Sequence, residues 1–337
     1  MAAGQTRKIS AASARAHTRK PKSMSPSKFS GIFKKILFVC FVGLLAWAYQ
    51  ATQPPQPKTC GSTDGPPVTA SRIQLKDGRY LAYQEYGVPK DKAKHKIVFI
   101  HGFDCCRHDV SAITAYLSPD IVESQGVYIV SFDRPGYGES DPHPTQTVKS
   151  LAFDIEELAD QLGLGLAGAA LIAPVVNYWW PGIPSNMSEE AYKQHLVQDQ
   201  WAIRVAHYLP WLNYWWNTQK LFPGLSLIAH SPKVLSRQDM ELIPRIFSIR
   251  EAYQQSASGH GNLIPRKNPF SENEGSVHLW QGDEDLLVPV KIQRHIARQL
   301  PWIHYHEVPG AGHMFPFADG IADSIILALL AGKKGVS

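Results

Sequence analysis

Two side chains in the C-terminal third of the chain are spaced as an acid and the base it orients would be. Asp285 closes the acidic cluster of "GDEDLLVP" (Gly282–Pro289), and His313 stands in "GAGHMF" (Gly310–Phe315), 28 residues further on. A hydroxyl is a weak nucleophile at neutral pH and needs a base within hydrogen-bond reach. That base needs a carboxylate to fix its tautomer and to stabilise its cation. Asp283 and Glu284 compete for the acid's place, and loop or solvent roles suit them better. Taken singly, Asp285 reads as a helix cap and His313 as a packed loop residue. A third loop, "HGF" (His101–Phe103), also follows an apolar run: Gly102 permits a tight turn, and the Phe103 N–H is then aimed to stabilise a developing oxyanion. His304 and His306 share one strand face by their spacing of two, which suits a metal pair. No third ligand is evident, and no metal or other cofactor is expected.

The elements that must position these residues alternate between strand and helix. "RIQLKDGRYLAYQEYG" (Arg72–Gly87) alternates on both sides of Asp77-Gly78 and predicts a hairpin. "KIVFIHGF", "GVYIVSF" and "LAGAALIAPVV" read as short strands buried on both faces, and "SVHLWQGDEDLLVP" (Ser276–Pro289) and "WIHYHEVPGAGHMF" (Trp302–Phe315) each read as a strand followed by a loop. "TVKSLAFDIEELADQLGL" (Thr147–Leu164) places Leu151, Ile155, Leu158 and Leu162 at helical spacing, with acids opposite. Six of the nine Trp fall between Trp179 and Trp216, in a helical, non-alternating stretch that reads as an inserted cap. The expectation is an α/β fold: a mostly parallel sheet with helices on both faces and chemistry at the strands' carboxyl ends.

With "DRPGYGES" (Asp133–Ser140), the loops HGF, GDEDLLVP and GAGHMF stand in the order found in the α/β-hydrolase superfamily, which the chain resembles over about residues 70–331. An apolar run before such a domain is similar to the layout of membrane-anchored plant members. The resemblance implies an α/β-hydrolase fold and a Ser nucleophile, an acid and a His in that chain order. It places the acid at Asp285, the general base at His313 and the oxyanion hole at Gly102 and Phe103. It implies ester hydrolysis on small or lipid-like substrates.

The nucleophile is missing. The family's Ser sits in a G-x-S-x-G turn between a strand and a helix, and no Ser in this chain has Gly at both −2 and +2. Ser140 and Ser226 have the first Gly only, and Ser258 has glycines at the wrong offsets. The unit is expected after the Thr147–Leu164 helix, yet "LAGAALIAP" follows almost at once. The chain therefore reads as a hydrolase from which one central strand, the elbow and one helix have been removed in frame, a shortened isoform inactive as it stands. Its strand Ala169–Ala173 is expected to shift into the vacancy. Two alternatives stay open: "LAGAALIAP" is itself the elbow strand of a divergent member, or the hydrolase cavity serves a non-catalytic binding module.

The net charge of +5 misleads, because residues 1–35 hold nine Lys/Arg and no acid, leaving the remainder at −4. The body is not a nucleic-acid binder on this balance. The 14-residue apolar run Ile36–Tyr49 reads as a membrane signal anchor with the N-terminus in the cytosol, since the nearby positive charge precedes it. An organelle transit peptide is the alternative. The expected division is a basic tail at 1–35, the anchor at 36–49 and a Pro/Gly/Thr-rich linker at 50–70. The hydrolase core then takes 71–176 and 271–331, and the cap 177–270.

Overall fold

The computed structural model describes residues 28–103, 105–227, 229, 231–250 and 275–332. The basic tail as far as residue 27, and residues 251–274 of the cap and of the return to the core, lie outside the described residues.

The chain divides into two compact units, Met1–Gln53 and Pro54–Ser337. The first holds helix α1 (Lys28–Thr52). It takes in the apolar run together with Gly31–Phe33 and the two lysines between them. Its 22 residues from Gly31 to Thr52 are apolar enough to cross a membrane; at 1.5 Å per residue that is about 33 Å, the thickness of a bilayer's hydrocarbon core.

The second unit runs β1 (Ser71–Gln74), β2 (Tyr80–Gly87), β3 (His95–Ile100), α2 (Asp109–Thr114), α3 (Pro119–Ser124), β4 (Val127–Phe132), α4 (Val148–Leu162) and β5 (Gly168–Ile172). Helices α5 (Ser185–Gln194), α6 (Val197–Tyr208), α7 (Asn213–Thr218) and α8 (Arg237–Arg250) follow, in the stretch read from the sequence as a cap. The chain then returns to β6 (Ser276–Gly282), α9 (Val290–Gln299), β7 (Ile303–Val308) and α10 (Ile321–Ala331). Thr147 caps α4 in a reciprocal box with Ser150, and left-handed Gly163 ends it. The face of α4 read from the sequence packs Leu151, Ile155, Leu158 and Leu162 on Tyr128, Val130 and Phe132 of β4.

The strands form two ladders. One has the order β1-β2-β4-β3 and the other β5-β6-β7. β2 is antiparallel to β1 and β4; the β3–β4, β5–β6 and β6–β7 pairs are parallel. All six residues of β4 are buried, and so are all of β6 after its first. β3 and β5 pair on one side only. They are largely half-buried throughout despite their apolar sequences, and Ile100 is 42% exposed. The expected shift of strand 169–173 does not occur: β5 stays on β6 and forms no ladder with β3.

Helix α10 joins the two ladders. Its Ala322 and Ile326 pack with Val127, Ile129 and Val110 of the first sheet's layer. Its Ile325 packs with Ala173 and Trp280 of the second. Asp323 also accepts from the Ser118 N–H at 2.9 Å and the Ser118 hydroxyl at 2.6 Å, tying the same helix to the start of α3.

Candidate active site

The loop after β6 carries Asp285, whose side chain is fully buried. Both carboxylate oxygens are saturated. Oδ1 accepts from the Leu287 and Val288 N–H groups at 2.8 Å each. Oδ2 accepts from Gln281 Nε2 at 2.9 Å and lies 2.8 Å from His313 Nδ1. Burial alone would raise this carboxyl, but the His313 charge and these hydrogen bonds outweigh it and hold it below the ordinary range. An ionised Asp285 fixes the proton of neutral His313 on Nδ1 and leaves Nε2 with its lone pair, the arrangement a general base requires. The His313 side chain is 27% exposed. Among the described residues no hydroxyl or thiol hydrogen-bonds its Nε2. Asp283 does serve the loop, accepting from the Ala311 N–H at 3.3 Å.

The loop after β3 is fixed by a different logic. His101 is buried, with Nε2 accepting from the Arg134 N–H at 3.0 Å, so Nδ1 donates to the Gly102 carbonyl at 2.9 Å. Burial, then the Arg134 charge, push this imidazole down to about 3, so it stays neutral. Arg134 Nη2 also donates to the Gly102 carbonyl, at 2.9 Å. Because the peptide is planar and trans, holding the Gly102 oxygen turns the Phe103 N–H the opposite way. Among the described residues that N–H has no partner.

Beneath it lies a buried ionic core that sequence reasoning missed. Arg107 pairs with Asp133 and, at 2.8 Å, with Glu139. Asp133 also accepts from the Arg107 and Glu139 N–H groups. Burial would raise the Glu139 carboxyl, but hydrogen bonds from Thr69 and Ala70 and the Arg107 charge push it down to about 2. Gly138 closes around Asp133 so tightly, at φ +47°, that a Cβ there would meet the carboxylate at 2.2 Å. The signal in the sequence was "DRPGYGES" itself, whose acids hold the neighbouring loop.

Residues 97–323 match the Alpha/beta hydrolase family. The chain belongs to that family. No curated protein matches it. Among solved structures it is similar to a thermophilic esterase from Thermogutta terrifontis, at 18% identity and a TM-score of 0.49, covering 79% of this chain and 99% of that one. It is also similar to an enol-lactonase from Burkholderia xenovorans LB400, at 16% identity and a TM-score of 0.46, covering 77% and 100%. A proline iminopeptidase from Mycobacterium smegmatis matches at 15% identity and a TM-score of 0.41, covering 78% and 99%.

Two further features of this family member bear on its chemistry. His304 and His306 gain a third imidazole from the next strand: His278 stacks on both, and its Nδ1 lies 2.9 Å from His306 Nε2. Only the His278–His306 pair is joined by a hydrogen bond, and no group of three ligands among the described residues is arranged to hold a metal ion. At the end of β5, Ala173 has φ +42°, the one positive value at a non-glycine among the described residues.

Proposed function

We propose that this chain carries the acid and the base of a serine ester hydrolase, Asp285 and His313, with an oxyanion donor at Phe103 turned by Gly102. We further propose that it lacks the nucleophile and does not turn over esters. The observation that supports this is the finished Asp285–His313 pair, whose outward nitrogen has no hydroxyl or thiol bonded to it among the described residues. In this reading a strand–turn–helix unit belongs between α4 and β5. Its strand would pair with both β3 and β5, which are paired on one side only and half-buried. Its turn would bring a Ser to His313 and a second N–H to the oxyanion. The ligand class is a small or lipid-like ester. Helix α1 is the membrane anchor, with the basic tail on the cytosolic side.

Ala173 favours a second reading. A strained turn at a strand end is where the family holds its nucleophile, so β5 is then the elbow strand itself, with a methyl in the nucleophile's place. Pro174 follows it, and a proline supplies no N–H to an oxyanion.

A fluorophosphonate probe separates these readings. The full chain is expected to stay unlabelled, and labelling that disappears in His313→Ala would show a working Ser and overturn the proposal. Ala173→Ser labels under the second reading and stays silent under the first. In tissue, the tryptic peptide Ser150–Lys193 spans the junction without an internal Lys or Arg. Finding only longer products that carry G-x-S-x-G would show that the active form is the one made.

A further inference from the structure

The loop that carries His313 is held from the cap. Three successive N–H groups, those of Gly312, His313 and Met314, donate to the first turn of α8. Gly312 N–H reaches Gln238 Oε1 at 3.0 Å. His313 N–H reaches Asp239 Oδ2 at 3.1 Å, and Met314 N–H reaches Asp239 Oδ1 at 2.6 Å. Asp239 is fully buried. The packing is close: a Cβ on Gly312 would lie 2.1 Å from Asp239 Oδ2 and 2.0 Å from Ser236 Oγ.

The ordinary account of Asp239 is helix capping. The Ser236 N–H donates to its Oδ2 at 2.9 Å, and its own N–H donates to Ser236 Oγ at 3.1 Å, a reciprocal box. A capping box uses one carboxylate hydrogen bond. Asp239 makes that one and two more, both to the backbone of the base's loop.

We infer that Asp239 is a positioning residue for His313. It sets the loop so that Nδ1 meets Asp285, and it supplies a second negative charge beside the imidazole. The inference rests on the reading of Asp285 and His313 as the acid–base pair. The electrostatics agree. Burial would lower the His313 imidazole, but Asp285, its hydrogen bond and then the Asp239 charge hold it above its ordinary value. Among the described residues these two carboxylates are the charged groups that raise it. A further consequence is mechanical: motion of α8 at its first turn carries the His313 loop with it.

The test is the pH dependence of His313 carbethoxylation by diethyl pyrocarbonate, in the full chain in detergent, localised by peptide fragmentation. The wild-type midpoint is expected above 6.5. Asp239→Asn should lower it, and Asp239→Glu should recover part of the loss. Ser236→Ala, which breaks the capping box alone, should reduce thermal stability and leave the midpoint in place. An unchanged midpoint in Asp239→Asn, or an equal shift in Ser236→Ala, overturns the inference. Asp285→Asn distinguishes the two levels: if it too leaves the midpoint unmoved, the acid–base reading itself fails. If Asp239→Asn does not fold, amide exchange in the wild type decides. Protection of Gly312–Met314 at the level of β6 supports the inference, and exchange at the rate of an open loop overturns it.

Discussion

In the first sheet β4 lies buried between β2 and β3; in the second, β6 lies buried between β5 and β7. Beyond that common plan the halves differ in how they hold their loops. The loop after β3 is anchored by charge: Arg107 sits between Asp133 and Glu139 with almost no exposure. The loops after β6 and β7 are anchored mostly by neutral donors to two carboxylates, and among the described residues no hydroxyl or thiol is bonded to His313 Nε2. The first half is built to keep a backbone still. The second is built to hold one imidazole against one carboxylate.

Breaking the charged anchor should have the largest effect. Arg107→Ala leaves two buried carboxylates uncompensated and is expected to cost ~3–5 kcal/mol. Urea unfolding of the full chain in detergent would measure it, and a loss below ~1 kcal/mol would show that water reaches the site. Next is the joint between the halves. Ile326→Ala should cost ~2–5 kcal/mol, with amide exchange rising in both β4 and β6. Exchange that rises in one half alone would show that α10 does not couple them.

Acid sharpens the comparison further, because each half buries a neutral histidine. His101 is pushed down to about 3 and His278 to about 4, both first by burial. A depressed histidine leaves the unfolded chain binding more protons than the folded one, so stability should fall as pH drops below about 6.5. The loss should level off near 4 for His278 and near 3 for His101. His278→Gln should flatten that slope in a thermal melt series, and an unchanged slope would remove His278 from the account. His313 acts with the opposite sign, since its raised value gives stability that is lost as pH rises through it. The smallest effect expected is Asp323→Ala, ~1–2 kcal/mol for the two hydrogen bonds from Ser118, read as a lowered melting temperature.

Periodicity and turn chemistry were enough to read the hairpin at Asp77-Gly78, the α4 face and the seven strands. Asp285 and His313 were legible through the resemblance that their loops carry, each alone reading as a cap or a packed residue, and the structure brings them within hydrogen-bonding distance. What stayed hidden depends on contacts between distant segments. Nothing local in "RHD" or "GES" says that Arg107 and Glu139 will meet 32 residues apart. Asp239 drew no notice in the sequence: Ser236-x-x-Asp239 has the spacing of a cap, but no pattern announces the loop 74 residues away that shares it. Helix α3 was missed although Ser118-Pro119 is a readable start, with Pro at the first helical position. β3 and β5 were read as doubly buried because composition reports what a strand is suited to, and burial also needs a neighbour.

That mismatch between β3 and β5 reaches beyond one molecule. An unpaired strand edge is a template for any other chain, and proteins blunt such edges with proline, bulges or charge. β5 carries none of these, and the one lysine of β3, Lys96, is turned onto the Gly163 carbonyl at 3.1 Å. Two copies meeting at these edges can complete each other's ladders. Pairing of this kind would rise with the concentration of the chain, as any association between two copies does.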